Sequence, residues 1–240
     1  MSDTQKIQWK RLSVEAAVIV TSILLAFSID AWWENRHERI EELRILETLK
    51  AEFLSNAETI PSYIEGHQIS ADYTQALLDI MKAAEPGSTL RYPAARLARV
   101  LMHSTTNPHS GALDAILQSG ELRYISNPAI RERLAAWPRL VVDATENEDL
   151  LVTLWDPKLI GALAKVVDLT KLPDRGGPCW EDPTLEQCAA IEISLPRDTV
   201  VMAYLIQTGD YALEGARELG LLVEEANEIV ILINQELATR

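Results

Sequence analysis

Residues Trp9 to Trp33 of this 240-residue chain read WKRLSVEAAVIVTSILLAFSIDAWW, and the remaining residues are interpreted relative to them. Its centre, Ala16 to Ile29, is an uncharged run of 14 residues. As a helix, that run would cover only about 21 Å of a hydrocarbon core about 30 Å thick. Extended over residues 12–33, the helix reaches about 33 Å, enough to cross the core. The sequence therefore predicts a transmembrane helix over residues 12–33.

Charged and aromatic residues lie at both ends of this predicted span. Glu15 and Asp30 fall near the two interfaces, where snorkelling and local thinning reduce the cost of a carboxylate. Trp9 stands at one end and the pair Trp32 and Trp33 at the other, about 35 Å apart along a helix. Tryptophan is enriched at both membrane–water interfaces, so all five residues are predicted to lie at those interfaces.

A cleaved signal peptide is the alternative interpretation of the same stretch. Residues 16–25 would then form its apolar region and residues 26–28, Ala-Phe-Ser, its cleavage site, after the basic residues Lys6, Lys10 and Arg11. The helical pattern continues past that site without a turn, whereas a processing site usually needs an extended, accessible segment. We therefore favour an uncleaved signal anchor.

The orientation follows from the short basic tail, residues 1–11. Basic residues lie on both sides of the span, but long following domains translocate largely regardless of charge, so the tail carries more weight. It predicts a cytoplasmic N-terminus and an exported body. The two cysteines and the net charge of -14 agree with a soluble body that avoids nucleic acid and anionic lipid. In a bacterium, this places the chain in the inner (cytoplasmic) membrane with its bulk in the periplasm.

The residues that follow the span continue the helix. Residues 34–60 have no glycine or proline and carry an apolar stripe at steps of three and four: Ile40, Leu43, Leu46, Leu49, Phe53, Ala57 and Ile60. We expect the transmembrane helix to run into this juxtamembrane helix and to end near Pro61, after some 50 residues or about 75 Å. Such a stripe needs a cover, either the chain's own C-terminal helix or a neighbouring protomer.

Residues 61–240 are predicted to form an all-α, extracytoplasmic helical bundle. Ala, Leu, Glu and Arg dominate, and alternating Val, Ile and Thr are scarce. We expect helices over residues 62–84 and 112–118, the second ending at Gly120, and a helix that starts at Asn127 and Pro128. Further helices are expected over residues 198–208 and from Tyr211 to the terminus. The last one is predicted to pack antiparallel to the juxtamembrane helix.

One long irregular loop, residues 169–196, interrupts the helical pattern. It has four prolines, and a loop of this length inside a compact domain usually has a function or a covalent link. Cys179 and Cys188 are nine steps apart within it, and a disulfide is the favoured interpretation. Free buried thiols are the second interpretation. A redox or metal pair is the third, since the spacing is not CxxC and no histidine lies nearby.

Two stretches resemble an uncharacterised family of bacterial single-pass membrane proteins. The first, WKRLSVEAAVIVTSILLAFSIDAWWENRHER, has the family's basic tail, anchor helix, terminal Asp and Trp residues and Asn/Glu/Arg-rich helix. The second, GALDAILQSGELRYISNPAIRERLAAW, is similar to its Ser-Gly-x-Leu turn and the helix start that follows. Together they cover about a quarter of the chain. The resemblance implies an N-terminal signal anchor and supplies neither an activity nor catalytic residues.

Catalytic chemistry has little support in the sequence. No nucleophile elbow, phosphate-binding loop, dinucleotide fingerprint or HExxH motif occurs. His103 and His109 flank STTNP and could approach each other, but a metal site needs more ligands than this segment offers. Glu146, Glu148 and Asp149 are interpreted as the solvated face of a helix. We predict no catalytic residue, no metal and no cofactor.

Two sets of residues are candidate binding or association sites. Arg123 and Arg131, beside the turn in SGELRYISNP, could bind an anion near a helix N-terminus, although such arginines often pair with neighbouring acids. Ser22, Ala26 and Asp30 recur every four residues on the span and form a small, polar stripe along which transmembrane helices associate. For Asp30, a capping or inter-helix hydrogen-bonding role is favoured over ion transport.

These features predict a membrane-anchored, non-enzymatic interaction or scaffold protein that self-associates or binds a protein partner. The alternative is a small-molecule sensor with its ligand near Arg123 and Arg131. Because a tail of 11 residues cannot hold a signalling module, such a sensor needs a separate transducer. A hydrolase or oxidoreductase is the least supported class. The expected partners are membrane lipid and a second copy of the chain, and nucleic acid is not expected.

Overall fold

The computed structural model describes residues 9–102 and 105–239, and the side chains of residues 9–12, 155 and 156 are left undescribed. The expectations for residues 1–8 and for His103 lie outside this part of the chain. Helices dominate, so the all-α prediction is confirmed.

The elements in chain order are α1 (Trp9–Ala83), β1 (Thr89–Pro93), α2 (Ala94–Val100), α3 (Gly111–Ser119), a 3-10 turn (Glu121–Tyr124), α4 (Pro128–Leu154), a π-helical turn (Trp155–Leu159), α5 (Ile160–Leu163), a 3-10 turn (Leu169–Lys171), α6 (Pro178–Glu181), α7 (Glu186–Ala189), β2 (Glu192–Pro196) and α8 (Thr199–Ala238).

Helix α1 continues unbroken from the apolar stretch into the body. It contains 75 residues, so the predicted continuity of the two N-terminal helices is confirmed. The predicted end near Pro61 is wrong, because Pro61 lies inside α1. Its ring is on the exposed side of the helix, where water can replace the hydrogen bond that proline denies to the carbonyl of Ala57. The juxtamembrane helix and the helix expected over residues 62–84 are therefore one element.

The first part of α1 is apolar and stands clear of the body. Its large apolar side chains from Val14 to Ile29 are 49–67% exposed. Among the described residues, α1 is the one helix long and apolar enough to cross a membrane, by length and composition. Burial against the rest of the chain begins at Glu42 and Ile45. One helix therefore joins an exposed apolar segment directly to the body.

Helix α8 packs antiparallel to α1, as predicted. Gly209 lies against Thr74, whereas Thr239, just beyond the other end of α8, lies beside Glu42. The expected break between residues 208 and 211 is wrong, because α8 is continuous there. A Cβ placed on Gly209 would lie 3.3 Å from the Cγ2 atom of Thr74. This glycine therefore allows a close approach of two helices and does not end one.

Helices α1, α4 and α8 enclose the proximal core, which is the buried apolar cluster nearer the exposed segment of α1. Phe53 and Trp137 meet at its centre, with ring centroids 4.7 Å apart and planes at 75°. Helix α4 starts as predicted, since Asn127 accepts a hydrogen bond from the N–H of Ala129 and Pro128 is the first helical residue. Other members of this core include Ile45, Leu46, Leu49, Ile60, Leu113, Ile130, Leu134, Leu219, Leu222, Ile229 and Ile233.

The distal core lies at the far end of α1 and uses shorter elements. Strands β1 and β2 pair antiparallel, with Tyr92 opposite Ile193 and Leu90 opposite Leu195. No strand was expected in the body, and β2 lies in the loop that was expected to be irregular, so the body is mainly but not wholly helical. The π-helical turn that follows α4 contains Pro157, which lacks the N–H of a regular α-helical bond. Buried members of this core include Leu77, Met81, Leu97, Leu101, Leu159, Leu163, Val201 and Leu205.

The predicted disulfide is confirmed. Cys179 and Cys188 are bonded, with their Cα atoms 5.3 Å apart. The loop expected to be irregular contains α6, α7 and β2. Thr170 and Thr184 each hydrogen-bond, through both backbone N–H and hydroxyl, to the aspartate two residues earlier, Asp168 and Asp182. These bonds lower the pKa of both aspartates.

Candidate functional site

The residues predicted for the membrane interfaces and for helix association lie on the exposed part of α1. Trp32 and Trp33 are 59% and 66% exposed, and their ring centroids are 6.3 Å apart. The backbone of Trp9 starts α1, while its side chain is outside the described part of the chain. The remaining predicted residues are all exposed: Glu15, Ser22, Ala26 and Asp30. The hydroxyl of Ser22 donates to the carbonyl of Val18 at 2.8 Å.

A groove of about 630 Å³, here called the proximal groove, opens where this exposed segment meets the body. The predicted anion residue Arg123 lies in it, stacked over the ring of Tyr124 at 4.6 Å and donating to its hydroxyl at 2.9 Å. Tyr124 follows the left-handed residue Gly120, whose φ of 73° ends α3 as predicted. The full lining is Asn35, Glu38, Arg39, Glu42, Leu43, Arg123, Tyr124, Ser126 and Thr239.

Arg131, the second residue predicted to bind an anion, does not line this groove. Its guanidinium donates to the carbonyls of Ile125 and Ser126 at 2.6 and 3.2 Å. These bonds hold the connection into α4. The structure therefore gives Arg123 and Arg131 different contacts and does not bring them together at one site.

The solvated-face interpretation of Glu148 is wrong, because this carboxylate is only 3% exposed. It accepts hydrogen bonds from the backbone N–H and the hydroxyl of Thr106, at 2.6 and 2.7 Å, and pairs with Nε2 of His67 at 2.9 Å. One buried carboxylate thus joins the imidazole of α1 to the backbone and side chain of Thr106. Glu146 and Asp149 on the same helix are exposed, as expected.

The pair of His67 and Glu148 stabilises the fold. His67 is 1% exposed, so a dissolved substrate does not reach it. Its Nδ1 has no hydrogen-bond partner among the described residues. The ring of His67 also packs against α8, where a Cβ placed on Gly215 would lie 3.9 Å from it. The described residues hold no group of three or more His, Cys, Asp or Glu side chains that fits a metal ion.

Three polar side chains of α1 hydrogen-bond to the backbone of the segment that joins α2 to α4. Glu52 accepts from the N–H groups of Ala112 and Leu113 at 2.7 and 3.0 Å, at the start of α3. The buried Glu42 accepts from Ser126 at 2.6 Å. The buried amide of Asn56 exchanges two hydrogen bonds with the backbone of His109, at 2.8 and 2.7 Å. Sequence reasoning missed these contacts because the acids belong to charged runs that read as solvated.

A second groove, here called the outer groove, runs between α4 and α8 and has a volume of about 520 Å³. Its floor is apolar, and Leu221 within it is 53% exposed. Arg133 and Glu225 form an ion pair at 2.5 Å, and this carboxylate raises the pKa of Arg133. The lining is Leu140, Ala144, Leu221 and Leu222 with the charged residues Arg133, Asp143, Arg217, Glu218, Glu224, Glu225 and Glu228.

A comparison with protein-family models, curated proteins and solved structures finds no match for this chain.

Proposed function

We propose that this chain is a membrane-anchored, non-enzymatic interaction protein whose helical body stands at the membrane surface and self-associates. The observation that carries the proposal is the continuity of α1, which has an exposed apolar segment at one end and the two cores of the body at the other. A helix of this kind acts as anchor and as structural element of the body at once.

The geometry of α1 supports a body held at a fixed height. Only residues 34–41 separate Trp33 from the first buried side chain, Glu42, which corresponds to about 12 Å of helix. No glycine or proline lies in this interval. A stiff connection of this length sets both the distance and the orientation of the body relative to the bilayer.

The Cys179–Cys188 disulfide supports an exported body, because disulfides persist in oxidising compartments. With the basic tail inside, a bacterial chain of this kind has its N-terminus in the cytoplasm and its body in the periplasm. A reporter fused after Arg240 tests this orientation. Alkaline phosphatase activity agrees with it, and fluorescence from a reporter that folds only in the cytoplasm contradicts it.

Self-association is proposed along the stripe of Ser22, Ala26 and Asp30. All three side chains are exposed, and small or polar residues at this spacing allow close approach and hydrogen bonding between membrane helices. The Ser22→Cys variant is expected to give a covalent dimer in membranes under mild oxidation. Leu24→Cys, on the opposite face of the helix, is the matched control. Equal dimer yields from the two variants, or monomer only, would contradict the stripe.

The outer groove is the proposed surface for a protein partner. An apolar floor with an acidic rim matches an amphipathic helix with basic flanks, which is a recurring mode of recognition. A photoreactive amino acid at Leu221 is expected to cross-link such a basic segment, whereas the same group at the distal residue Ile80, 43% exposed, is the control. Cross-links of equal yield and identity from both positions would contradict this assignment.

A sensor that works with a separate transducer is the second candidate function. The proximal groove favours it, since a ligand bound there contacts both α1 and the turn at Arg123. A compound that binds this groove is expected to raise the melting temperature of the protein, and Arg123→Ala should abolish the shift. A shift that survives in Arg123→Ala would place the ligand elsewhere.

A further inference from the structure

The proximal groove lies at the height of the lipid headgroups if α1 spans the bilayer as proposed. Asn35 and Arg39 line it and follow Trp33 by two and six residues, or about 3 and 9 Å of helix. The headgroup layer extends about 5–8 Å beyond the hydrocarbon core on each side. The side of the groove nearer the span is therefore within reach of a lipid phosphate.

The two arginines of the groove are free to bind an anion. Among the described residues, neither Arg39 nor Arg123 has a carboxylate within ion-pair distance. By contrast, Arg44, Arg133 and Arg217 all pair with glutamates. The stack of Arg123 on Tyr124 holds its guanidinium plane in place and leaves further N–H groups available. Arginines from two elements can thus contact one phosphate from two sides.

The groove also contains two glutamates, and their negative charge determines which phosphate-containing ligand it favours. Glu42 already accepts a hydrogen bond from Ser126, whereas Glu38 is exposed and has no ion-pair partner among the described residues. Two arginines and two glutamates together leave no net charge in the lining. A doubly charged free phosphate gains little from such a site. A headgroup with both a phosphate and a primary ammonium matches the positive charge of the arginines and the negative charge of the glutamates.

We propose that the proximal groove binds a zwitterionic phospholipid headgroup of the phosphoethanolamine type. Arg39 and Arg123 bind its phosphate, and Glu38 accepts from its ammonium. This assignment rests on the proposed membrane anchoring. A lipid held here contacts α1 and the turn before α4 together, so it fixes the body against the bilayer surface in addition to the helix itself.

The test uses the full-length protein in nanodiscs made of phosphatidylcholine mixed with phosphatidylethanolamine or with phosphatidylglycerol, followed by release and native mass spectrometry. The wild-type protein is expected to retain phosphatidylethanolamine over both other lipids. Arg39→Gln/Arg123→Gln should lower that retention about a hundredfold, tenfold for each of the two charge-assisted contacts that are lost. Glu38→Gln should keep phosphate binding and lose the preference over phosphatidylcholine. Arg139→Gln, an exposed arginine outside the groove, is the control and should behave as wild type.

Three results would overturn the proposal. They are equal retention by the double variant and the control, a preference for phosphatidylglycerol, and complete displacement of the lipid by soluble phosphoethanolamine or inorganic phosphate. Before the nanodiscs are made, the membranes that contain each protein variant are washed in alkaline carbonate. Protein released by this wash would mean that the anchoring itself has failed, whereas anchored protein without the lipid preference would refute the headgroup site alone.

Discussion

The proximal and distal regions hold their non-helical segments onto the long helices in different ways. Around the proximal core, buried or half-buried polar side chains bind the backbone of the connection from α2 to α4, as Glu148 does at Thr106 and Glu52 does at Ala112. Around the distal core, the non-helical segments are held by a disulfide, a two-stranded sheet and Asp–Thr turns.

This contrast predicts which substitutions destabilise each region. A buried carboxylate stabilises only while every donor around it is in place, because an unpaired charge or N–H in the interior is costly. A disulfide and short-range turns depend much less on the rest of the fold. The proximal region should therefore respond to single substitutions far from the connection, and the distal region mainly to local ones.

The largest expected effect is loss of the ring at the centre of the proximal core. Trp137 is fully buried against Phe53, so Trp137→Ala should lower the free energy of unfolding by about 3–5 kcal/mol. The matched control, Trp180→Ala, removes a half-buried ring of the distal loop and should cost clearly less. Urea unfolding of the full chain in detergent measures both. A larger loss for Trp180→Ala would reverse the order of the two regions.

Replacing the buried carboxylate of α4 should have the next largest effect. Glu148→Gln turns an acceptor of several hydrogen bonds into a group with its own N–H donors, at a cost of about 3 kcal/mol. Hydrogen exchange should rise at Thr106 first, because its N–H and hydroxyl then share with His67 the one oxygen that the amide retains. Glu146→Gln, on the exposed side of α4, should stay within about 0.5 kcal/mol of wild type. Similar losses from both variants would refute the role of Glu148.

The disulfide gives the sharpest contrast between the regions. The pair of substitutions Cys179→Ser and Cys188→Ala should reduce stability by about 2–3 kcal/mol, the chain-entropy value for so short a loop. Hydrogen exchange is expected to increase around residues 169–196 and to stay unchanged in the proximal core. An increase of the same size at Phe53 and its neighbours would show that the two regions unfold as one.

The smallest expected effect is a pH dependence in the distal region. Burial raises the pKa of Tyr92 from 10.0 to about 12, while the positive charge of Arg96 acts in the opposite direction. The unfolded chain therefore loses the tyrosine proton at lower pH than the folded one, so stability falls as pH rises above 10. At pH 11 the loss is about 1 kcal/mol. Tyr92→Phe should remove this part of the alkaline loss, and an unchanged pH profile in that variant would contradict the burial argument.

Features with a local signal were predictable from the sequence. The apolar segment, the all-α class and the long helix that continues from this segment need only periodicity and composition. Gly120 and Asn127 act at helix ends through their own backbone and side chain. Two cysteines in a single loop left one intramolecular pairing, and the disulfide is present.

Features that depend on a distant partner were not predictable. Pro61 and Gly209 look like helix ends, but Pro61 faces solvent and Gly209 faces Thr74, and neither fact is local. Glu148 sits among other acids, and only the approach of His67 and Thr106 makes it buried. The five-residue strands are too short for an alternating pattern to be recognised.

The candidate sites also combine features with a local signal and features that depend on a distant partner. Arg123 was recognised from a charged turn, but its groove requires Arg39 and Glu38, which lie on another helix more than 80 residues earlier. The acidic rim of the outer groove was visible only as part of the net charge of -14. In both cases the residue types carried the chemistry, and the packing of long helices brought them together.

The proposed function requires α1 to be rigid between the apolar segment and the body, and one distance tests this rigidity. Spin labels at the exposed positions Leu25 and Leu54, introduced as Leu25→Cys and Leu54→Cys in full-length protein in nanodiscs, are separated by 29 residues of helix, or about 44 Å. Cys179 and Cys188 are bonded to each other and do not take the label. With the labelled protein diluted into an excess of unlabelled protein, so that distances between associated copies do not contribute, pulsed electron resonance should give one narrow distribution near that distance. A broad distribution, or one centred much below it, would show a hinge between residues 33 and 42 and contradict the account.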